Sequence, residues 1–420
     1  MERSRRDFFK TIPQTAGRVA GWTAMVQAIQ AAPGLPSPNN EDYWKLVKRQ
    51  FPLEDNLLYL NAANVCPASR GVLDRHLEYL RDFQSNPSFQ NREKYDGLAE
   101  RCRKKIAAML RVSPDEIAFV RNTSEGANTI VKGIDLAPGD EILVTSHNHP
   151  SNLDSWKIRA RRDKLVVKTL PYPVPPKSRQ QLFDLYESAI TPRTKVLAVT
   201  HVTSTTGVEF PARELAELAR RRNLWMHLDG AQTLGALDVN LADIPCDSFA
   251  GSAHKWPMGP LEAGVLFVRA SRIPEVWPSV VTAGWSDKLV GARKLEVFGQ
   301  RDNPRLVALE SAFDFLALVG MPHVEARMRA LARRAIEGLG EHANIVMKTS
   351  SDPLLSAGVV KLELKNMAVK PAYDLLWQRH RMAIASTPEG DARGLRISPH
   401  IYNTMEEVDR AVAAVKEIAG

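Results

Sequence analysis

The 420-residue sequence has few of the residues that mark a cysteine-rich or metal-binding protein. It contains three cysteines, Cys66, Cys102 and Cys246, and no two of them stand at the spacing of a metal-binding pair. An odd number of widely separated cysteines also argues against a disulfide framework. Because Cys102 lies within a helical pattern, we expect it to pack in the core. Small disulfide-stabilised folds and cysteine-based zinc modules are therefore disfavoured.

Long apolar runs are also missing, since no stretch beyond the N-terminal leader approaches the roughly 20 residues that a membrane-spanning helix needs. The hydrophobic content of 44% and the charged content of 25% are typical of a globular protein. The net charge of +8 comes from 56 basic and 48 acidic residues. No zinc-finger spacing or RNA-binding aromatic pattern accompanies the basic clusters. A basic nucleic-acid-binding module is thus the weakest alternative, and no membrane span is predicted.

The N-terminal segment has the composition of an export leader and linker. Residues Ser4–Lys10 resemble the twin-arginine signal, and a mildly apolar stretch follows to Ala32. Ile29–Ala31 is a candidate cleavage site. We predict a signal peptide and linker over 1–34, with export to the periplasm or the cell exterior. The alternative is a cytoplasmic protein with a basic, frayed N-terminus.

Short apolar runs alternate with helical patterns in the central part of the chain, which is typical of α/β folds. We predict a mostly parallel, seven-stranded sheet with helices on both faces. The predicted strands are 117–121, 141–145, 165–170, 195–200, 224–228, 248–251 and 263–269. We assign residues 35–295 to an N-terminal segment and this large domain. Residues 296–420 are predicted to form a smaller α+β domain.

Two residues of opposite charge fall at the ends of neighbouring predicted strands. Asp229 follows the run 224–228, and Lys255 lies just beyond the run 248–251. Open α/β sheets bind ligands at this edge, and a buried carboxylate there needs a partner. Pyridoxal phosphate chemistry requires a lysine that forms a Schiff base and an acid that keeps the pyridine nitrogen protonated. By itself Lys255 could be a solvated loop cation, but its pairing with Asp229 favours a cofactor site.

The motifs around these residues resemble the class V aminotransferase superfamily in order and spacing. The matching segments are Asp229–Gln232, Ser252–Lys255 and Gly259–Phe267. This superfamily includes cysteine desulfurases, selenocysteine lyases and isopenicillin N epimerases. The resemblance covers roughly residues 57–415 and implies fold type I of the pyridoxal phosphate enzymes. It also implies a small amino acid substrate and a homodimer with active sites at the interface.

The resemblance assigns catalytic roles to Lys255 and Asp229 and implies a set of cofactor contacts. The cofactor-binding residues are predicted to be Thr123, Ser124, His149, Ser204, Asp229, Gln232, Ser252, His254, Lys255, Thr282 and Gln300. The phosphate is expected at Thr123 and Ser124, because a helix N-terminus binds anions, although an ordinary N-cap is the simpler interpretation. Ser252 and His254 are expected to reach the same phosphate.

The other implied contacts concern the ring and the dimer interface. His149 is expected to stack on the pyridine ring, while Gln232 and Ser204 are expected to reach its phenolic oxygen. Desulfurases commonly have asparagine where Ser204 stands. Thr282 and Gln300 belong to two loops that approach the site across the interface, and many relatives have Gly-Thr in place of Gly299-Gln300. No metal site is predicted, since the two histidines of the 146–152 loop lack a third ligand.

The substrate residues are predicted to be Asn61 and Arg396. Arginine suits a substrate carboxylate because its planar fork binds both oxygens. The alternative for Arg396 is a structural ion pair. The stretch 383–390 lacks the cysteine that desulfurases carry before the arginine motif, so persulfide formation is disfavoured.

We therefore expect a pyridoxal phosphate enzyme acting at the α-carbon of an amino acid, closest to the isopenicillin N epimerase-like branch. Epimerisation, transamination and β-elimination by a carbon–sulfur lyase on a cysteine-derived substrate remain open. An inactive binding protein with this fold is a further alternative.

Overall fold

The computed structural model describes residues 37–420, so the leader predicted over 1–34 lies outside the described residues. The helices, numbered in chain order, are α1 Glu41–Lys48, α2 Arg70–Ser85, α3 Phe89–Leu110, α4 Thr123–Gly133, α5 Pro150–Asp163, α6 Arg179–Glu187, α7 Ala212–Arg221, α8 Asn303–Val319, α9 Met321–Gly340, α10 Val369–His380 and α11 Met405–Ala419.

The strands are β1 Leu58–Tyr59, β2 Ile117–Val120, β3 Glu141–Thr145, β4 Val166–Leu170, β5 Thr194–Thr200, β6 Trp225–Asp229, β7 Ser248–Ser252, β8 Gly264–Val268, β9 Ile345–Met347, β10 Val360–Leu364, β11 Met382–Ala383, β12 Ala385–Thr387 and β13 Gly394–Ile397. The seven strands predicted for the large sheet are confirmed to within one residue at each end.

The large sheet has the order β2-β8-β7-β6-β5-β3-β4. Only β8 runs antiparallel to its neighbours, β2 and β7, and the other pairs are parallel. The predicted mostly parallel sheet is confirmed. Five of its strands are buried at every position, which explains their continuous apolar sequences, because helices cover both faces.

The strand order reverses between β3 and β5. After β3 the chain forms the edge strand β4 on one side of β3. It then returns to form β5 on the other side of β3, followed by β6 next to β5. Such a reversal leaves a crevice at the carboxyl ends of the strands, where ligands bind in open α/β sheets. The loops that follow β3, β5, β6 and β7 therefore meet at one place.

The small domain is built on the antiparallel sheet β12-β13-β10-β9. Its strands alternate, so that Val360, Leu362, Leu395 and Ile397 pack in one cluster with α9, α10 and α11. The residues between them, among them Arg396, lie on the other face. The same cluster includes Leu58 and Leu60, so the N-terminal segment also contributes to this domain's core.

The apolar and small residues of 382–386 suggest one strand in the sequence, but the structure divides them between two strands. Residues Met382–Ala383 form β11, which pairs in parallel with β1, while Ala385–Thr387 form β12, which pairs with β13. The chain changes sheets at Ile384, whose side chain is buried in the small-domain core. The local sequence of 382–387 does not indicate this change of sheet, because it depends on pairing with β1 and β13, which are separate segments of the chain.

Among residues 37–420, no single helix combines the length and apolarity needed to cross a bilayer. The consecutive helices α8 and α9 reach that threshold only jointly, across an 80° bend. Helix α8 is instead a core helix, since it buries eleven of its seventeen residues and packs on α2 and α3.

Gly207, which ends the loop after β5, has a positive φ of 72° and approaches the Val359 carbonyl closely. We expect Gly207→Ala to destabilise the protein by about 3 kcal/mol, because a Cβ there would clash with that carbonyl and the backbone would be strained. Urea unfolding followed by circular dichroism measures this loss. Gly97→Ala is the matched control, because Gly97 is helical and has open space around it. Alanine there should raise the free energy of unfolding by at most about 1 kcal/mol. Equal effects of the two substitutions would contradict this account.

Candidate active site

Lys255 and Asp229 lie at the carboxyl ends of the neighbouring parallel strands β7 and β6. Asp229 is the last residue of β6 and is 2% exposed, while Lys255 follows β7 by three residues and is half-buried. The Ala231 N–H donates to Asp229 Oδ1 at 3.0 Å, which fixes the carboxylate at the start of the following turn. The structure thus brings together the two residues on which the sequence interpretation depends.

Burial dominates the electrostatics of this pair. It raises the pKa of Asp229, while the Ala231 N–H, Lys255 and His149 oppose that rise. Burial also lowers the pKa of Lys255, with Asp229 opposing and Arg396 reinforcing the shift. A lysine with a lowered pKa has a larger neutral fraction at physiological pH, which is the form that attacks a carbonyl. The Lys255 amine is therefore suited to form a Schiff base.

The N-terminus of α4 and the end of β7 form a polar corner near the lysine. The Thr123 and Ser252 hydroxyls lie 2.7 Å apart, and the Thr123 N–H donates to Ser252 Oγ at 2.9 Å. Asn122 caps the helix by accepting from the Glu125 N–H, and Ser124 lies in the first turn. Hydroxyls and free N–H groups at a helix N-terminus bind phosphate. The predicted phosphate residues are thus adjacent in the fold.

Two of the buried polar atoms that have no partner among residues 37–420 lie at this edge of the sheet. One is Nδ1 of His254, and the other is the hydroxyl of Thr200, which is the cross-strand neighbour of Asp229. Burial and the nearby Lys255 lower the pKa of His254 to about 4, so its ring is neutral. Buried polar atoms without partners mark a place where a polar ligand completes the hydrogen bonding. The sequence analysis did not identify Thr200.

His149 caps the N-terminus of α5, where its Nδ1 accepts the Ser151 N–H at 3.2 Å. Burial lowers the pKa of His149, Lys255 and Arg396 lower it further, and Asp229 opposes the shift. His149 lies in the loop after β3, at the same edge of the sheet as Lys255 and Asp229. A neutral, flat imidazole at this position suits stacking against an aromatic ligand.

The predicted substrate residues Asn61 and Arg396 are in direct contact, although 335 positions separate them. Arg396 Nη2 donates to Asn61 Oδ1 at 2.9 Å, and Nη1 donates to the Ser204 carbonyl oxygen at 2.8 Å. Both partners are neutral, and Nε of Arg396 is buried without a partner within the described part of the chain. Burial lowers the pKa of Arg396 to about 10, which still leaves it charged at neutral pH. Within residues 37–420, Arg396 thus forms no structural ion pair, and its charge remains available for a carboxylate.

Gln232 makes contacts other than the predicted one. Its Nε2 donates to the Ala63 carbonyl oxygen at 2.9 Å, and its Oε1 accepts from Trp256 Nε1 at 2.7 Å. The buried amide therefore joins the 61–66 loop to the segment after Lys255. In this arrangement Gln232 positions the two loops, and the second N–H of its Nε2 remains for the predicted contact with the phenolic oxygen.

The loops that carry Thr282 and Gln300 lie side by side, apart from the hydrogen bonds that surround Lys255. The Thr282 hydroxyl donates weakly to the carbonyl oxygen of Val297 at 3.4 Å, and Gln300 Oε1 accepts from Arg92 Nη1 at 3.1 Å. No hydrogen bond within residues 37–420 links either side chain to Thr123, Ser252 or Lys255. Their predicted contact across a dimer interface stays a prediction.

Sequence reasoning gave His147 no role, but the structure places it at a contact between the domains. Its Nε2 lies 3.0 Å from Asp391 Oδ2 in the β12–β13 loop, and its Nδ1 lies 3.0 Å from the Tyr172 hydroxyl. The ring is buried, whereas Asp391 is exposed. This contact fastens the loop of the small domain to the loop after β3. Only the spacing of two histidines in 146–152 hinted at it.

Cys66 lies near Lys255 without being a candidate nucleophile. Its N–H donates to the His254 carbonyl oxygen at 2.8 Å, and its Sγ lies 3.6 Å from the Tyr402 hydroxyl. Burial raises the pKa of the Cys66 thiol well above its usual range. The thiolate, which is the reactive form, is therefore not populated near neutral pH. Cys102 and Cys246 are buried as well, as expected for packing residues.

The residues at this edge fit pyridoxal phosphate. They combine a nucleophilic lysine, a buried carboxylate, a flat neutral imidazole and a helix N-terminus with adjacent hydroxyls, together with unpaired polar atoms on His254 and Thr200. Within the described residues, no group of three or more histidine, cysteine or acidic side chains has the geometry of a metal site.

The comparisons with known proteins agree with this geometry. The sequence matches the family Aminotransferase class-V over residues 58–411. It is 32% identical to the isopenicillin N epimerase of Amycolatopsis lactamdurans over 401 residues, which are 90% of this chain and 98% of that protein. It is 25% identical to a probable cysteine desulfurase of Pyrococcus abyssi over 404 residues, which cover 89% of this chain and 96% of that protein.

The structure is similar to that of C-DES, solved as a lysine-to-alanine mutant with glycine covalently linked to its PLP cofactor. The TM-score is 0.81 at 20% identity, and the alignment covers 88% of this chain and 99% of that one. This likeness shows the fold, and the family match spans most of the chain. The chain belongs to the class V aminotransferase family of pyridoxal-phosphate-dependent enzymes.

Proposed function

We propose that this enzyme acts at the α-carbon of a small amino acid, with an isopenicillin N epimerase-like reaction as the leading candidate. The observation that carries the proposal is the pairing of Lys255 and Asp229 with a half-buried arginine, Arg396, that has only neutral partners within residues 37–420. An amine and a carboxylate are the two groups that all amino acids share. The site offers a counterpart to each of them.

The chain's own residues divide the work. Arg396 binds the substrate carboxylate, and Asn61 and the Ser204 carbonyl hold its guanidinium in place. Asp229 would hold the ring nitrogen of pyridoxal phosphate in its protonated form. When bound, pyridoxal phosphate supplies an aldehyde that condenses with amines and a ring that withdraws electrons from the α-carbon. The Lys255 amine, once released, removes the proton from that carbon and can return it.

A carbon–sulfur lyase that eliminates a β-substituent from a cysteine-derived substrate is the second candidate. It shares the same first step, because elimination also begins with loss of the α-proton. Persulfide-forming desulfuration is disfavoured, since residues 383–390 hold no cysteine and burial keeps the Cys66 thiol protonated. An inactive binding protein is disfavoured by the intact set of Lys255, Asp229 and Arg396.

The experiment is proton exchange in heavy water. The protein, loaded with pyridoxal phosphate, is incubated with single L- and D-amino acids, and the α-proton signal is followed by NMR. We expect exchange with a subset of them. Appearance of the opposite stereoisomer identifies epimerisation, pyruvate with sulfide identifies elimination, and dependence on an added keto acid identifies transamination. Absence of exchange with every amino acid would contradict the proposal.

We also propose that the enzyme is exported by the twin-arginine pathway and forms a homodimer. The Ser4–Lys10 motif supports export. An interface role is supported by Thr282 and Gln300, whose side chains have no hydrogen bond to their own chain's Lys255 within residues 37–420. Export is tested by cell fractionation of the wild type and of the double variant Arg5→Lys, Arg6→Lys. Sedimentation velocity tests the oligomeric state.

A further inference from the structure

A buried lysine lies next to the half-buried Arg396 in the small-domain sheet. Lys361 of β10 is the registered cross-strand partner of Arg396 in β13. Because side chains alternate along strands, both lie on the face opposite the apolar cluster formed by Leu362 and Leu395. Thr387 of β12 lies on the same face, opposite Gly394. Nothing in the sequence analysis singled out Lys361.

Lys361 is fully buried and has only neutral partners. Its Nζ donates to the Thr387 hydroxyl at 2.8 Å and to the Gly394 carbonyl oxygen at 2.9 Å. The ammonium therefore reaches across β13 to the base of the β12–β13 hairpin. The backbone N–H of Lys361 donates to Thr349 Oγ1, and the Thr349 hydroxyl donates to the Thr206 carbonyl oxygen. Thr206 belongs to the loop after β5, whose Ser204 carbonyl oxygen accepts from Arg396.

The other charges on this face are already compensated. Glu363 pairs with Lys348 at 3.1 Å and with Arg393. At the hairpin tip, the exposed Asp391 carboxylate is directed away from this pair of cations and lies 3.0 Å from the His147 ring nitrogen. Among the described residues, no carboxylate forms an ion pair with Lys361 or Arg396, and a buried charge without an opposite charge is costly. A neutral hydrogen-bond donor would serve the Thr387 hydroxyl and the Gly394 carbonyl oxygen equally well. Holding the β12–β13 hairpin in place therefore does not by itself require a lysine.

We propose that Lys361 is a positioning residue for substrate binding, whose ammonium supplies a second positive charge beside Arg396 when a carboxylate binds there. This inference rests on the proposed function, because it assumes that Arg396 binds the substrate carboxylate. Lys361 does not touch the substrate, since its side chain has no exposed surface. It acts through the field it exerts at Arg396 and through the hairpin it holds.

The consequence is a coupling between carboxylate binding and protonation. Burial lowers the pKa of Lys361 to about 7, and Arg396 and Lys348 contribute to the shift. Near neutral pH the free protein therefore holds Lys361 partly as the neutral amine. A bound carboxylate favours the ammonium form, so binding completes the protonation of Lys361 and takes up the missing fraction of a proton from solvent. Affinity for the carboxylate should fall as the pH rises above about 7.

The experiment compares two ligands of the cofactor-loaded enzyme. Glycine carries an amine and a carboxylate, whereas methylamine carries the amine alone, and both are titrated by the change they cause in the cofactor's visible absorbance. The ratio of their dissociation constants isolates the carboxylate contribution, because protonation of either amine has the same pH dependence below about pH 8.5. We expect the preference for glycine to drop about tenfold between about pH 6 and about pH 8.5.

Three variants separate charge from structure. Lys361→Gln keeps a donor for Thr387 and Gly394 but removes the charge, so the preference for glycine should be weaker at low pH and independent of pH. Lys361→Arg should restore the preference at low pH and hold it at high pH. Lys365→Gln is the matched control, since Lys365 is exposed and donates to the Ala343 carbonyl oxygen; it should behave as the wild type.

The outcomes distinguish this inference from the proposed function. A wild-type preference for glycine that does not change with pH overturns the role of Lys361 even if the glutamine variant fails to fold. A glutamine variant with the wild-type pH profile overturns it as well, and leaves Lys361 as a structural tie. Absence of any spectral response to both ligands overturns the proposed function and this inference together.

Discussion

Replacing Lys255 with alanine is expected to lower the rate of α-proton exchange by about a thousandfold or more. The lysine has two tasks in the proposed reaction, since its amine holds the cofactor and then removes the α-proton. Heavy-water exchange followed by NMR measures the loss with any amino acid that the wild type accepts. The cofactor should still bind through the α4 corner and Asp229, so equilibrium dialysis should show retained but weaker binding.

The matched control for this substitution is Lys365→Ala, which removes an exposed lysine of the small domain. It should leave exchange unchanged. If Lys255→Ala retained an exchange rate within about tenfold of the wild type, another group would have to serve as the base. That result would contradict the assignment of Lys255 and leave only the fold.

Replacing Arg396 with lysine is expected to raise KM for an amino acid substrate by about a hundredfold, with a smaller effect on kcat. Lysine keeps the positive charge but cannot bind Asn61, the Ser204 carbonyl and a carboxylate at the same time, as the arginine fork can. Steady-state kinetics over a range of substrate concentrations measures the two constants separately. Arg396→Ala should be more severe.

The control for Arg396→Lys is Arg393→Lys, which lies in the same hairpin and pairs with Glu363 away from the site. It should change neither constant appreciably. An unchanged KM in Arg396→Lys would show that the carboxylate binds elsewhere. Methylamine binding should be indifferent to both substitutions, because it has no carboxylate to lose.

The large sheet could be predicted because its sequence signal is local. Strands buried on both faces are continuous apolar runs, and turn residues separate them from amphipathic helices such as α7, which buries Leu215 and Leu218 on one side. Lys255 and Asp229 could be predicted for the same reason, since Asp229 directly follows such a run and Lys255 lies within four residues of the end of another. The strand order, which decides that the two strand ends are neighbours, comes from the rules for α/β connections.

The contacts that sequence reasoning missed join distant parts of the chain. The neutral partners of Arg396, the Asp391 contact of His147 and the Ala63 contact of Gln232 depend on how the domains pack. Lys361 was missed for another reason. In a strand that alternates apolar and polar residues, a lysine is normally assigned to the solvent-exposed face. Lys361 is buried because the large domain covers that face of the small-domain sheet.

The central claim is that Lys255 holds pyridoxal phosphate covalently, and one measurement tests it most directly. The purified protein is loaded with the cofactor, reduced with borohydride, digested and examined by mass spectrometry. We predict a visible absorption band that disappears on reduction, and a pyridoxyl group fixed to the peptide that contains Lys255. A cofactor group fixed to another lysine, or the absence of any such group after loading, would contradict the account.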